Sequence, residues 1–305
     1  MYHRMGWNLI LIAASSLAIG LGQSPSDRLN NEYAGLHNVL RVTDKLISGS
    51  SPDGDGGFES LKNLGIKTII SVDGAKPDVE RARKFGMRYI HLPIGYNGVP
   101  EKQALRITRA IRDFPGLVYI HCHHGKHRGP AAAAVARICL DEQCTVASAI
   151  DFMKKAGTDK RYTGLFDSVK STKRPTKAEL DKVPQDFPEV AKVSVLAQAM
   201  VEIDEQWEQL KLVKKAGWKV SPDHPDIDPP RVASILGQHY RDAEKSVAMR
   251  TELSDWLADA ARNAQQLEKL LRQMKTDSPT LEQTFQRIGM DCARCHQKYR
   301  DTPGK

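Results

Sequence analysis

His121-Cys122-His123-His124-Gly125-Lys126-His127-Arg128-Gly129 lies between a short apolar run, Leu117-Val118-Tyr119-Ile120, and an alanine-rich segment from Ala131 to Leu140. The order is strand, tight loop, helix, with a cysteine opening the loop and an arginine closing it. Such a loop suits a phosphate dianion. Its backbone N–H groups converge on one point, and the dipole of the following helix adds positive potential there. The same field stabilises a thiolate. The planar fork of Arg128 can hold two phosphate oxygens at once. A sulfur nucleophile inside an anion cradle points to phosphoryl transfer through a cysteinyl-phosphate.

Outward from this loop, the flanking sequence alternates between strand and helix patterns. Val39 to Ser48 predicts a strand, followed by the turn-rich stretch Gly49 to Gly57 and a short helix from Phe58 to Leu64. Lys67 to Val72 and Met87 to Leu92 predict strands, and Pro77 to Phe85 a helix with proline at its start. Glu101 to Phe114 has apolar residues at helical spacing, and further helices are expected near Thr145–Ala156 and Tyr162–Ser171. Alternation of this kind predicts an α/β unit with a mostly parallel sheet covered by helices.

Cys-x5-Arg after a strand resembles the signature loop of the cysteine-based tyrosine and dual-specificity phosphatases. The spelling Cys-x-x-Gly-Lys-His-Arg, Cys122 to Arg128, is closest to their atypical dual-specificity branch, which includes inositol pyrophosphate phosphatases. The resemblance covers roughly residues 30–173. It implies that Cys122 is the nucleophile, that Arg128 clamps the phosphate and that His121 orients the thiolate. Lys126 would be an extra cation over the substrate, and His123, His124, Gly125 and His127 would complete the substrate-binding loop. The four imidazoles of the loop also admit a metal, although donors to an anion suit one tight loop better.

Two positions depart from that family's pattern. Where it has Ser or Thr after the arginine, this chain has Gly129, followed by Pro130. Where it has an aspartic general acid, this chain has Asn97, and Glu101 is the nearest carboxylate along the chain. A lost general acid typically costs 10²–10⁴-fold on a poor leaving group. The cost is smaller for a phosphoanhydride. The expectation is therefore an anhydride substrate or a catalytically degenerate phosphate-binding site.

A second chemical signal stands near the end, Cys292-Ala293-Arg294-Cys295-His296. This is the spacing for covalent attachment of a c-type haem, with a redox dithiol or a zinc half-site as alternatives. Before it, Glu189 to Ala216, Arg231–Ser246, Met249–Met274 and Pro279–Arg300 predict four helices, with Pro222, Pro225, Pro229 and Pro230 in one crossover. The expectation is an all-α four-helix bundle over residues 188–305, joined to the first unit by a polar linker at 174–187. Cys-x-x-Cys-His-x-x-aromatic-Arg in the last helix of such a bundle is similar to cytochrome c′. That resemblance implies one haem c anchored by Cys292 and Cys295, with His296 as proximal iron ligand and Arg300 as the basic residue beside it. Met200 is a candidate distal ligand, and His239 a further one.

The chain has 305 residues and a formal net charge of +8. Residues 1–174 hold 25 Lys/Arg and 16 Asp/Glu, a net of +9, whereas residues 175–305 hold 20 and 21, a net of −1. The basic excess belongs to the half with the anion loop, as steering of a phosphorylated anionic substrate requires. No nucleic-acid motif accompanies it. Residues 1–22 read as an export signal: a positive start, an apolar core and small residues near a cleavage point. The alternative is an uncleaved membrane anchor. Export places the chain in the periplasm or cell envelope, with a redox protein as a possible partner. Cys139 and Cys144 could pair there, trap Cys122, or simply be buried. Two functions follow. One is an exported cysteine-dependent phosphatase fused to a c-type cytochrome. The other is a haem protein for electron transfer or gas sensing with a degenerate phosphate-binding domain.

Overall fold

The computed structural model of the chain describes residues 33–247, 249, 251–273 and 279–300. The expected export signal at residues 1–22 lies outside them. Among the described residues, no helix is long and apolar enough to cross a membrane.

Five strands form one sheet in the order β1-β2-β5-β3-β4. They are β1 (Leu40–Arg41), β2 (Leu46–Ser50), β3 (Ile66–Ser71), β4 (Arg88–His91) and β5 (Leu117–Cys122). β1 pairs antiparallel with β2, and every other pairing is parallel. The single strand expected over Val39–Ser48 is thus a hairpin, because Val42 and Thr43 both return their N–H groups to Leu46.

Side chains alternate across β5, and this alternation builds two cores. Val118, Ile120 and Cys122 face one apolar cluster. On that side lie α3 (Glu101–Asp113), α4 (Arg128–Leu140), α5 (Val146–Lys155) and α6 (Thr163–Ser171). Tyr119 faces the other cluster, with Ile47, Ile69 and Tyr89. There the sheet is covered by α1 (Gly54–Asn63) and α2 (Val79–Lys84). The glycine-rich stretch expected as a turn instead supplies the first residues of α1. α4 is central, so Ala131 to Ala136 are buried on every side, which only an uncharged run of small residues permits.

The expected linker contains α7 (Lys177–Lys182), closed by a reciprocal capping box between Thr176 and Glu179. The next segment docks at the end of β4, where His91 Nδ1 accepts the Ala191 N–H at 3.0 Å. Four helices follow: α8 (Val195–Lys215), α9 (Pro229–Ser246), α10 (Thr251–Arg272) and α11 (Pro279–Cys295), which continues as a π-helical turn over His296–Arg300. They share a separate apolar cluster that includes Leu210, Leu236, Leu267 and Ile288. Asp228 caps α9, and Pro229 and Pro230 occupy its first turn, where no N–H is needed. A hydrogen bond from Arg300 Nη2 to Tyr162 Oη at 3.0 Å joins this helical unit to the α/β unit.

Candidate functional site

β5 sits in the interior of the sheet, so its carboxyl end opens where the loops after β3 and β4 also emerge. The loop from Cys122 to Arg128 is tied down on several sides. The Ser51 N–H donates to the His123 carbonyl at 3.0 Å, and the Asn38 side-chain amide donates to the Gly125 carbonyl at 2.9 Å. The Thr158 hydroxyl donates to the Lys126 carbonyl at 2.7 Å. Gly125 has φ +68°, and a Cβ there would stand 2.3 Å from the Gly49 carbonyl carbon, so the loop needs glycine at this point.

Cys122 is buried, 3% exposed. A Cβ on Gly129 would lie 3.5 Å from its Sγ, which puts the sulfur against the first turn of α4. Arg128 begins that helix with its guanidinium turned inward. Burial works against its charge, but Asp73, Tyr96 and Cys122 outweigh burial and raise its pKa above the ordinary value. The arginine is therefore a permanent cation beside the sulfur.

His121 stands apart from the thiol. Its ring lies on the opposite face of the sheet, shares a 2.6 Å hydrogen bond with the Tyr89 hydroxyl and stacks on Tyr119. Burial lowers its pKa to about 4, against the pull of Asp73 and a backbone hydrogen bond with Cys122. It meets Cys122 only through the main chain. His127 packs on Tyr162, and burial lowers its pKa to about 4 as well. Lys126 and His124 are exposed on the loop.

Two residues that sequence reasoning missed complete the site. Asp73 follows β3 and is 4% exposed. Its Oδ2 accepts the His123 N–H at 2.5 Å and a hydrogen bond from Arg128 Nη2 at 3.1 Å. Burial pushes its carboxyl up, yet Arg128, the Ala75 N–H, His121 and His123 together hold the pKa below the ordinary carboxylate value. The cradle thus contains an ionised internal partner for its arginine. The available signal was position: a lone acid directly after a buried strand of a parallel sheet. Tyr96 is the second. The Arg128 guanidinium lies 4.5 Å from its ring centroid, and that of Arg300 lies 4.3 Å from it. Asn97, expected at the general-acid position, folds its side chain back over Gly95. Glu101 is exposed at the start of α3.

Cys139 and Cys144 are buried free thiols. Cys139 stands near the far end of α4, eleven residues beyond Arg128, or about 16 Å along the helix at 1.5 Å per residue. A disulfide trap on Cys122 is out of its reach.

In the helical unit, Cys292, Cys295 and His296 line one cleft of about 530 Å³ with Met200, Trp207 and Tyr240. Both cysteines are free and half-buried, and burial pushes the Cys295 thiol up to about 11. The Tyr240 hydroxyl lies 3.1 Å from Cys292 Sγ. Two thiols and the next imidazole, on one cleft whose wall mixes apolar Met200, Trp207 and Leu257 with charged Asp204, Glu208 and Lys211, are the donor set that a covalently held porphyrin would use. The residues fit a c-type haem. Met200 lines the same cleft, whereas His239 pairs with Glu202 at 3.2 Å. Arg300, expected beside the proximal ligand, lines the cleft and also reaches Tyr96 and Tyr162 of the α/β unit.

No family model matches the chain. No curated protein matches it either. Among solved structures it is similar to TpbA of P. aeruginosa in complex with pTyr, at 20% identity and a TM-score of 0.41, over 52% of this chain and 93% of that one. It is also similar to the core catalytic domain of the PP-IP phosphatase SIW14 from S. cerevisiae, at 15% identity and a TM-score of 0.43, over 50% of this chain and 93% of that one. A putative phosphatase (DUF442) from Shewanella putrefaciens matches at 17% identity and a TM-score of 0.38, over 46% of this chain and 96% of that one.

Proposed function

We infer that this chain is an exported, cysteine-dependent phosphatase over residues 30–173, fused to a helical haem-c unit over residues 188–305. One observation carries the first half: the buried Cys122 sulfur sits against the first turn of α4 beside a permanently charged, inward-turned Arg128. In the proposed reaction, Cys122 Sγ attacks phosphorus, an S–P bond forms and the bond from phosphorus to the leaving oxygen breaks. Loop N–H groups and Arg128 hold the three equatorial oxygens as charge develops on them. Water then cleaves the S–P bond and regenerates the thiolate. Asp73, the carboxylate in contact with Arg128, is ionised and engaged by it, so it is not set to protonate the leaving oxygen. A leaving group that departs as an anion suits this site, which favours a phosphoanhydride over an alkyl phosphoester.

In the helical unit, Cys292 and Cys295 would hold the porphyrin by thioether bonds and His296 would bind iron, with Met200 as the candidate sixth ligand. Bound there, the group would supply one-electron redox chemistry or a diatomic-gas site. A visible spectrum of chain made with haem-maturation machinery tests this half. Covalent c-type bands lost in Cys292→Ser/Cys295→Ser support it, and their absence from the wild-type chain rejects it.

The second reading is a haem protein whose first unit only binds phosphate. The Asp73–Arg128 pair favours it, because a substrate must compete with an anion already in place. A panel of phosphoester and phosphoanhydride substrates decides between the two, with Cys122→Ser as control. Turnover that requires Cys122 supports the enzyme. Phosphate binding without any such turnover leaves the binding module.

A further inference from the structure

The first two imidazoles of the loop do not point into the anion cradle. His123 gives that cradle its backbone N–H, at Asp73, while its ring turns toward α8. There Nε2 stands 3.6 Å from Oδ2 of Asp204. His124 packs edge-on against His123, with ring centroids 4.4 Å apart. One nitrogen of each ring and one Asp204 oxygen all lie within 4.8 Å of one another. Two adjacent loop residues thus converge with a carboxylate from the middle of a helix in the other unit.

The spacing leaves room for a shared ion. The 3.6 Å from His123 to Asp204 exceeds an N–H···O hydrogen bond, which spans about 2.7–3.2 Å. It is near the roughly 3.3 Å that separates two donors each about 2.0–2.1 Å from one tetrahedral zinc ion. The remaining gaps are no wider than 4.8 Å, and a change of the exposed His124 side-chain rotamer would narrow them.

The donor chemistry agrees. Two imidazoles and one carboxylate suit zinc and similar borderline divalent ions, whereas calcium and magnesium require oxygen sets. Glu208, one turn beyond Asp204 on α8, is a candidate fourth ligand. It pairs with Lys211.

We propose that His123, His124 and Asp204 form a zinc site that clips the nucleophile loop to α8, with its fourth position taken by water or Glu208. The site does not depend on the phosphatase reading, but Asp204 and Glu208 also line the cleft proposed for the haem.

Its test is a titration of the full-length chain with ZnCl2, followed by substitution with Co²⁺. The expected result is one equivalent of zinc, bound at least about tenfold more weakly in His124→Ala and in Asp204→Asn and unchanged in His239→Ala. The cobalt form should show d–d bands without thiolate-to-cobalt charge transfer, which separates this site from the Cys292–Cys295 pair. Circular dichroism confirms that each variant is folded. Zinc binding that both variants retain, a cobalt spectrum dominated by thiolate ligation, or no zinc binding at all overturns the proposal.

Discussion

The Asp73 carboxylate accepts a hydrogen bond from the Arg128 guanidinium at 3.1 Å, and both side chains are largely buried, at 6% and 13% exposure. The cation that would clamp a phosphate is therefore already paired with an anion from the neighbouring strand end. Neutralising one member of a buried pair leaves the other uncompensated, which typically costs about 3–5 kcal/mol. Asp73→Asn should unfold at lower denaturant than the wild type. Inorganic phosphate, which restores the missing negative charge, should raise the melting temperature of this variant more than that of the wild type. A phosphate shift no larger in the variant would mean that Asp73 does not compete for Arg128.

Two imidazoles set the response to acid. His121 and His127 both have pKa values lowered from 6.5 to about 4 by burial. In the unfolded chain they take up protons near pH 6.5, and in the folded chain only near pH 4. The unfolded state therefore binds more protons across that window, and stability falls as pH drops through it. Asp73, with its lowered pKa, adds a further loss at lower pH as it is protonated. Urea unfolding at pH 7 and pH 5 should show a clear decrease, smaller in His127→Gln. A flat profile would contradict the buried, neutral state of these rings.

Gly129 occupies the position that carries a hydroxyl in the phosphatases this loop resembles. A Cβ there would lie 3.1 Å from the Cys122 nitrogen and 3.3 Å from the His121 carbonyl carbon. Both are main-chain atoms of β5 and have little freedom to retreat. Gly129→Ser should therefore lose about 1–3 kcal/mol by overpacking, and Gly129→Ala should lose a similar amount. Denaturant unfolding of the pair measures this. A serine variant as stable as the wild type would show that the strand end can yield.

Arg300 links the two units through Tyr96 and Tyr162. A cation over an aromatic ring contributes about 0.5–2 kcal/mol, depending on its desolvation. A double-mutant cycle on Arg300→Ala and Tyr96→Leu should give a coupling energy in that range. Strictly additive effects would place Arg300 elsewhere in solution.

The strand-loop-helix around Cys122, the parallel α/β order and the Cys292-x-x-Cys295-His296 spacing were legible from residues alone. Each is a local pattern: period-two apolar runs, a glycine where the loop turns left-handed, and two thiols and an imidazole within about one helical turn. Asp73, Tyr96 and Asp204 carried no comparable signal. Asp73 reaches Arg128 across 55 positions of chain, and Arg300 reaches Tyr162 across 138. Partners that far apart are brought together by β3 lying beside β5 and by the helical unit packing against the loop. The Val39–Ser48 hairpin and the helical start at Gly54 escaped for a related reason, since long-range pairing and burial overrode local composition there. The sequence by itself thus determined which groups could do chemistry, because a thiol and a cation on one loop and a Cys-x-x-Cys-His run are set by residue type and short spacing. The tertiary structure alone decided what stands opposite each of them, because neighbours across a sheet or between units are chosen by packing rather than by chain order.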